Sequence, residues 1–305
     1  MSRLSVGVAF HSPFYTPLFV TNALGYLKDE GFETTISAPP PGKTVDMLED
    51  RSADLILGGV MRTFILAERG GPKMIAIAEV NSRDGFFILS RTPAPNFSWT
   101  DLEGKRLALF GLAPTPWMCL QTAMREQGAD PAKVHVLERL DVGQGIEVLK
   151  SGRADYLQAG QPVVEQLIRD GVAHLASAQA PIVKHVPYSS FIVTDETRTK
   201  RPELCAAVVR ALTRGFAWIA TNDGDAIAEA LAPAFPEVPR SLMAPAVSRL
   251  KAQGIWSDGP RQERAAFDRL GSMLVNGGLI KRAAPYDELN DDRFAQQAVG
   301  GTAMP

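Results

Sequence analysis

Cysteine is scarce in this chain of 305 residues, which contains only Cys119 and Cys205. The two lie far apart and neither belongs to a CxxC motif, so the sequence predicts neither a zinc site nor a disulfide framework. The four histidines are scattered along the chain without the spacing of metal ligands. No metal site and no cofactor is therefore expected.

Runs of basic residues are absent as well. Lysine and arginine together number 32 against 34 acidic residues, which gives a net charge of -2 and a pI near 6.1. This balance argues against nucleic acid as the main partner. A small-molecule ligand held in a pocket is the expected partner, and the chain is expected to be a monomer.

Long hydrophobic runs are missing too, since no stretch approaches the roughly 18 apolar residues of a membrane span. The first residues, MSRLSVGVAFHSPF, carry one basic residue and only a short apolar run. That pattern is typical of a first β-strand and not of a signal peptide. If Met1 is the natural start, we expect a cytoplasmic protein.

An internal repeat organises the chain. The stretch GKTVDMLEDRSAD at residues 42–54 is followed by LILGG, and the stretch GQGIEVLKSGRAD at residues 143–155 is followed by YLQAG. Gly42 and Gly143, Asp54 and Asp155, and the later glycines match at a constant offset. Two copies of one α/β unit are therefore predicted.

Each copy alternates short apolar strands with helices of period 3.6, which is the pattern of parallel strands with crossover helices. Each half reads β-α-β-α-β, and ligands of such doubly wound sheets sit beyond the carboxyl ends of the strands. From Lys200 onward the pattern is helical. We predict a first lobe at 1–89, a second lobe at 90–193, and a return to the first lobe with C-terminal helices at 194–305.

The order of these segments resembles a known family. The resemblance rests on five segments: the PLFV…GYL…EGFE helix and strand, Ala53-Asp54 with its glycines, the DLEGK segment at 101–105, the GRAD segment at 152–155, and Gln161-Pro162. Together they resemble the NMT1/THI5-like and SsuA-like substrate-binding proteins of nitrate, sulfonate, taurine and pyrimidine uptake systems. The cysteine-rich motif of the thiamine-pyrimidine synthases with this fold is missing.

The resemblance implies a type II periplasmic-binding-protein-like fold: two α/β lobes joined by two crossing strands, a ligand in the cleft, and closure on binding. It also implies an ABC permease as partner and a periplasmic location. Among relatives in fold are decarboxylases and desulfinases. A cytoplasmic enzyme acting on an aromatic acid is therefore the alternative function.

Several residues follow strands and are expected at the cleft. His11, Phe14 and Tyr15 come after the first strand and suit a planar ligand, or they fix the next helix to the core. Arg62, with Gly59 and Met61 beside it, lies in the first turn of a helix, where its positive charge is unfavourable next to the helix dipole. A bound anion would compensate this charge. Alternatively, Arg62 is solvated or lies beside Glu68.

In the second lobe, Thr115, Pro116 and Trp117 begin a helix whose free N–H groups favour an anion. Trp117 is expected either to cover a ligand face or to pack in the core. Cys119 is expected to be a small buried residue. If the protein is an enzyme, Cys119 is the candidate nucleophile, His11 the candidate general acid or base, and Arg62 the residue that binds the departing carboxylate or sulfinate.

The remaining candidates lie near the lobe connections. Gln161 occupies the place where the family often has a polar ligand contact, and Tyr188 and Ser189 offer hydroxyls beside the hinge. No catalytic motif is present, so a ligand-binding protein is the leading prediction, and its ligand is expected to be small, planar and anionic.

Overall fold

The computed structural model describes residues 1–137 and 140–300, and its strands form two five-stranded sheets of the same topology. The strands are β1 (Ser2–Val8), β2 (Phe32–Ser37), β3 (Leu55–Gly59), β4 (Met74–Asn81), β5 (Phe87–Ser90), β6 (Arg106–Ala108), β7 (His135–Leu137), β8 (Tyr156–Ala159), β9 (His174–Ala178) and β10 (Ser189–Thr194). The first sheet has the order β2-β1-β3-β10-β4 and the second β7-β6-β8-β5-β9.

Helices cover both sheets. They are α1 (Thr16–Ala23), α2 (Tyr26–Asp29), α3 (Asp46–Glu49), α4 (Met61–Glu68), α5 (Thr115–Glu126), α6 (Val142–Lys150), α7 (Val163–Arg169), α8 (Ala180–Val183), α9 (Asp195–Lys200), α10 (Pro202–Thr221), α11 (Gly224–Leu231), α12 (Arg240–Ala252), α13 (Arg264–Asn276), α14 (Tyr286–Leu289) and α15 (Arg293–Gly300). Every residue of β3 and β4 is buried, as expected for strands covered on both faces.

The predicted repeat is present in three dimensions. Asp54 accepts a hydrogen bond from the backbone N–H of Ser5 at 2.8 Å, and its counterpart Asp155 accepts one from the backbone N–H of Arg106 at 3.0 Å. Each carboxylate therefore ties the start of one strand to the strand beside it. β1 and β6 hold equivalent central places, and in each sheet one antiparallel strand comes from the crossing segments. The predicted α/β fold of two doubly wound lobes is confirmed.

The lobe connections differ from the predicted boundaries by several residues. β5 pairs with β8 and β9 of the second sheet, and β10 pairs with β3 and β4 of the first. The chain thus crosses at 82–86 and returns at 179–188, earlier than the boundaries at 89/90 and 193/194 on both occasions. The proline-bearing segment at 91–105 is a connection within the second lobe, and its prolines do not mark the crossing.

The C-terminal helices pack on the first lobe, as the strand-free tail predicts. α10 contacts α1 and α15, and α14 and α15 pack on β4. By length and composition α10 is apolar enough to cross a membrane, although the sequence was not expected to contain such a stretch; 61% of that segment is buried inside the protein. α12 and α13 extend far enough to reach α7 and α5 of the second lobe.

Candidate functional site

Two adjoining cavities lie between the lobes. The larger, here called the phenylalanine cavity, has a volume of about 170 Å³. Its walls are mainly apolar and are formed by Phe10, His11, Ser12, Phe14, Gly85, Phe86, Leu109, Phe110, Gly111, Leu112, Leu140, Asp141, Val142, Gly145, Leu157, Gln158, Ala159, Gly160, Gln161, Pro162 and Val163.

The smaller, here called the Arg62 compartment, has room for about 10 Å³ and collects most of the predicted residues. It is lined by Phe10, Tyr15, Gly59, Arg62, Phe86, Ala113, Thr115, Pro116, Tyr188 and Ser189. Phe10 and Phe86 line both spaces and stand between them. The compartment receives residues from both lobes, so a molecule held there touches both.

Arg62 is the central polar group of this compartment. It lies in the first turn of α4 and is largely buried, yet it has no ion pair and no hydrogen bond to any other described residue. Burial lowers the pKa of its guanidinium, while Tyr15 and Tyr188 oppose that shift. Glu68, the alternative partner, instead accepts the backbone N–H groups of Lys281 and Arg282. An uncompensated cation therefore faces the cleft.

Three buried hydroxyl groups surround this cation. Tyr15, Tyr188 and Ser189 are 0%, 4% and 1% exposed. The hydroxyls of Tyr15 and Ser189 lie near each other and that of Tyr188 lies near the Asp84 carboxyl, but none of the three makes a hydrogen bond of good geometry to a described residue. Burial raises the pKa of Tyr15 to about 12 against the opposing charge of Arg62, and burial together with the nearby Asp84 raises the pKa of Tyr188 well above its usual range. Both phenols stay protonated and can donate. A buried polar group left unpaired costs about 1–3 kcal/mol, which a ligand oxygen would recover.

The second lobe contributes the start of α5. Its N-cap is Pro114, not Thr115, and no side chain caps the helix. Pro114 and Pro116 carry no N–H, so the free N–H groups at this helix start are those of Thr115 and Trp117, of which Thr115 lines the compartment. The Pro116 carbonyl is held by the side-chain amides of Gln158 at 2.8 Å and Gln179 at 3.3 Å. This helix start is thus fixed in place before any ligand arrives.

His11, Phe14 and Gln161 line the phenylalanine cavity instead. The His11 ring bonds the carbonyl oxygen of Ala234 at 2.7 Å and lies 4.4 Å from the ring of Phe235. The Gln161 amide is bonded to Glu165. The polar groups of His11 and Gln161 are therefore already engaged, and a role of these three residues in contacting a ligand stays a prediction.

Two predicted residues line neither cavity. Met61 is buried beneath the start of α4, and Trp117 is partly buried against the core. This position of Trp117 agrees with the alternative in which the tryptophan packs in the core. A role of these side chains in contacting a ligand stays a prediction.

Cys119 is fully buried beside the carboxyl group of Asp84. Burial, followed by the charge of Asp84, raises the pKa of the Cys119 thiol well above its usual range. A nucleophilic cysteine needs a stabilised thiolate, and this environment does the opposite. Among the described residues no group of three or more His, Cys, Asp or Glu residues is arranged to hold a metal ion.

Sequence reasoning missed the aromatic residues that shape the phenylalanine cavity. Phe10 and Phe110 each lie two residues after the end of β1 and β6, which hold equivalent places in the two sheets, and that shared position was the available signal. Asp84 lies in the first crossing segment, fully buried, and accepts the backbone N–H of Phe86 at 2.7 Å. Burial raises the pKa of Asp84 to about 7.

Comparison with known proteins agrees with this architecture. YtlA of Bacillus subtilis (strain 168), which is named as a binding protein, is 23% identical over 97% of this chain and 90% of its own length. The aliphatic sulphonate binding protein SsuA of Escherichia coli has a TM-score of 0.76 at 14% identity, over 98% of this chain and 99% of its own. DszB in complex with biphenyl-2-sulfinic acid has a TM-score of 0.71 at 15% identity, over 99% of both chains.

The family comparison is more specific than these likenesses of fold. The model of the family described as NMT1/THI5 like matches residues 12–226, which is more than half of the chain. This range contains the whole second lobe, both crossing segments and every residue that lines the Arg62 compartment except Phe10. The chain therefore belongs to the NMT1/THI5-like family.

Proposed function

We propose that this protein is the solute-binding component of an ABC uptake system and that it closes around a small, planar anion. The observation that carries the proposal is the unpaired guanidinium of Arg62, surrounded by the unpartnered hydroxyls of Tyr15, Tyr188 and Ser189. A carboxylate or a related oxyanion would satisfy this donor set, because charge-assisted hydrogen bonds to arginine are short and strong.

Closure follows from where these donors lie. Arg62 belongs to the first lobe and Thr115 to the second, so an anion between them gains contacts that an open cleft does not offer. A ligand shifts a conformational equilibrium by its difference in affinity for the two states. Two crossing segments joining two lobes provide the hinge.

The uptake role rests on the family and on named relatives. SsuA, a structural neighbour, is described as a periplasmic sulphonate binding protein. By this analogy we propose a permease as the partner and the periplasm as the compartment.

An enzyme on the same scaffold is supported less well by the residues it would need. His11 is held by Ala234 and its ring packs on Phe235. Cys119 is buried beside a carboxyl group that disfavours its thiolate. These arrangements favour binding without turnover.

Titration calorimetry with nitrate, taurine, benzenesulfonate and benzoate tests the proposal. We expect one-to-one binding of at least one of these anions, its loss in Arg62→Met, and recovery of the unchanged ligand by mass spectrometry. Arg69→Met is the matched control, since Arg69 lies exposed just after the other end of α4. Absence of binding for every anion, equal binding by Arg62→Met, or consumption of the ligand would overturn the proposal.

A further inference from the structure

The phenylalanine cavity is distinct in chemistry from the Arg62 compartment. Among its described lining residues none is lysine or arginine, and Asp141 stands at its edge. A negative charge placed in this cavity would find no cation there. The polar side chain of Gln158 is already used, since its amide donates to Pro116 and Gln179 and its oxygen accepts the N–H of Phe110. The cavity therefore suits an apolar group.

Its aromatic walls suit a flat group in particular. The ring of Phe110 lies 4.6 Å from that of Phe86 and 5.8 Å from that of Phe10, both in inclined arrangements. Aromatic rings prefer such edge-to-face or offset neighbours at these separations. A further ring that enters the cavity beside these rings would extend the same packing.

Its size sets an upper limit on that group. A protein cavity of about 150 Å³ lined by apolar side chains is known to take up benzene. The 170 Å³ measured here therefore fits one six-membered ring and leaves little room for a second.

The two spaces adjoin at Phe10 and Phe86. The Arg62 compartment offers only about 10 Å³, close to the volume that one water molecule needs. A flat carboxylate can enter edge-on with one oxygen leading, whereas a tetrahedral sulfonate carries three oxygens around its sulfur. The narrow space favours the carboxylate.

We infer that the ligand is a carboxylate on a single aromatic ring, with its carboxylate against Arg62 and its ring in the phenylalanine cavity. This inference rests on the proposed function, whose ligand class it narrows. Neither space alone selects such a molecule: the Arg62 compartment recognises the charge, and the cavity recognises the ring.

Benzoate, acetate and benzamide, titrated against the intact chain, separate the two contributions. Benzoate shares its carboxylate with acetate and its ring with benzamide. We expect benzoate to bind roughly 100-fold more tightly than acetate, because a six-carbon ring leaves water. Benzamide, which lacks the charge, is expected to bind at least tenfold more weakly than benzoate.

Variants locate the ring. Phe110→Ala is expected to weaken benzoate at least tenfold and to leave acetate unchanged. Phe97→Ala is the matched control, since Phe97 is also a partly buried phenylalanine of the second lobe and packs on Trp99 outside the cavity. Ala159→Leu fills the cavity from β8 without removing an aromatic ring, so it tests the same point if Phe110→Ala is poorly folded.

The outcomes distinguish this inference from the proposed function. One outcome would keep the anion-binding function but overturn the aromatic ligand class. In it, nitrate, taurine or acetate binds as tightly as benzoate, Arg62→Met abolishes this binding, and Phe110→Ala and Ala159→Leu leave it unchanged. Equal binding of benzamide and benzoate also overturns it. If no anion binds at all, both fall together.

Discussion

The guanidinium of Arg62 lies directly over the backbone of Gly59, so that a methyl group on Gly59 would stand 3.1 Å from Nη1 of Arg62. The same group on Gly58 would stand 3.4 Å away, an ordinary contact. Gly59 thus leaves the space in which the arginine reaches the cleft. The anion-binding geometry depends on a missing side chain as much as on the charged one.

We expect Gly59→Ala to displace the guanidinium and to weaken anion binding roughly tenfold, or about 1.4 kcal/mol. The neighbouring Gly58→Ala is the control and should have a much smaller effect. Titration calorimetry with benzoate measures both. Unchanged affinity in Gly59→Ala would show that the position of Arg62 above this strand end is not used for binding.

Arg62→Met should stabilise the ligand-free protein while it removes binding. A largely buried cation without a partner is unfavourable, and methionine fills similar space without charge. We expect a gain of about 1–2 kcal/mol in the free energy of unfolding, since the side chain retains some exposure. Urea denaturation without ligand measures it, with Arg69→Met as control. A clear loss of stability would show that Arg62 has a structural role.

Asp84 makes stability depend on pH. Its folded pKa of about 7 lies above its ordinary value of 3.8, so the folded state holds the proton that the unfolded chain has released. The stability from this group is full at low pH and is lost as pH rises to about 7. The groups around it, Cys119, Gln179 and Tyr188, are uncharged when protonated.

Asp84→Asn keeps the shape and removes the titration. The free energy of unfolding of Asp84→Asn, minus that of the natural protein, should rise by about 3 kcal/mol from pH 5 to pH 8. The natural protein loses about 1.36 kcal/mol for each of the two pH units between pH 5 and the Asp84 pKa of about 7. Urea denaturation at both values tests this, with the exposed Asp258→Asn as control. A stability difference that does not change with pH would mean that Asp84 is ionised in the fold across this range.

Two ion pairs join C-terminal helices to the second lobe. Arg269 of α13 contacts Glu126 of the second lobe at 2.7 Å and the carbonyl of Val183 at 3.0 Å, and Arg249 of α12 contacts Glu165. These partly exposed pairs contribute up to about 1 kcal/mol each. They stabilise the arrangement of the two lobes seen in the structure.

The double variant Arg249→Met and Arg269→Met should therefore open the ligand-free protein. We expect a larger radius of gyration by small-angle X-ray scattering and roughly threefold to tenfold weaker binding, because the binding-competent fraction falls. Arg106→Met is the control, since Arg106 pairs with Asp155 within one lobe. The same radius and affinity in all three proteins would mean that these pairs do not act in closure.

The repeat explains why the fold was predictable. Matching strand and glycine patterns at a constant offset define two equivalent units, and Asp54 and Asp155 make equivalent contacts to the backbone. The lobe boundaries were less accurate because β5 and β10 each pair with the sheet that the chain is entering, and no local signal encodes that pairing.

The Arg62 compartment was largely predictable because its residues follow strand ends, where the doubly wound pattern places a ligand. The phenylalanine cavity could not be predicted from the sequence. An apolar residue after a strand, such as Phe10 or Phe110, has the same sequence pattern whether it packs in the core or lines a cavity. The full burial of Asp84 was equally hidden, since it depends on neighbours that are distant in sequence.

A crystal structure of the protein with bound benzoate would locate both the carboxylate and the ring. We expect clear density for the ligand between the lobes, with a carboxylate oxygen about 2.8 Å from the Arg62 guanidinium and the ring packed against Phe10 and Phe110, as the inferred binding mode requires. Benzoate bound away from the cleft, or with its carboxylate turned from Arg62, would contradict it.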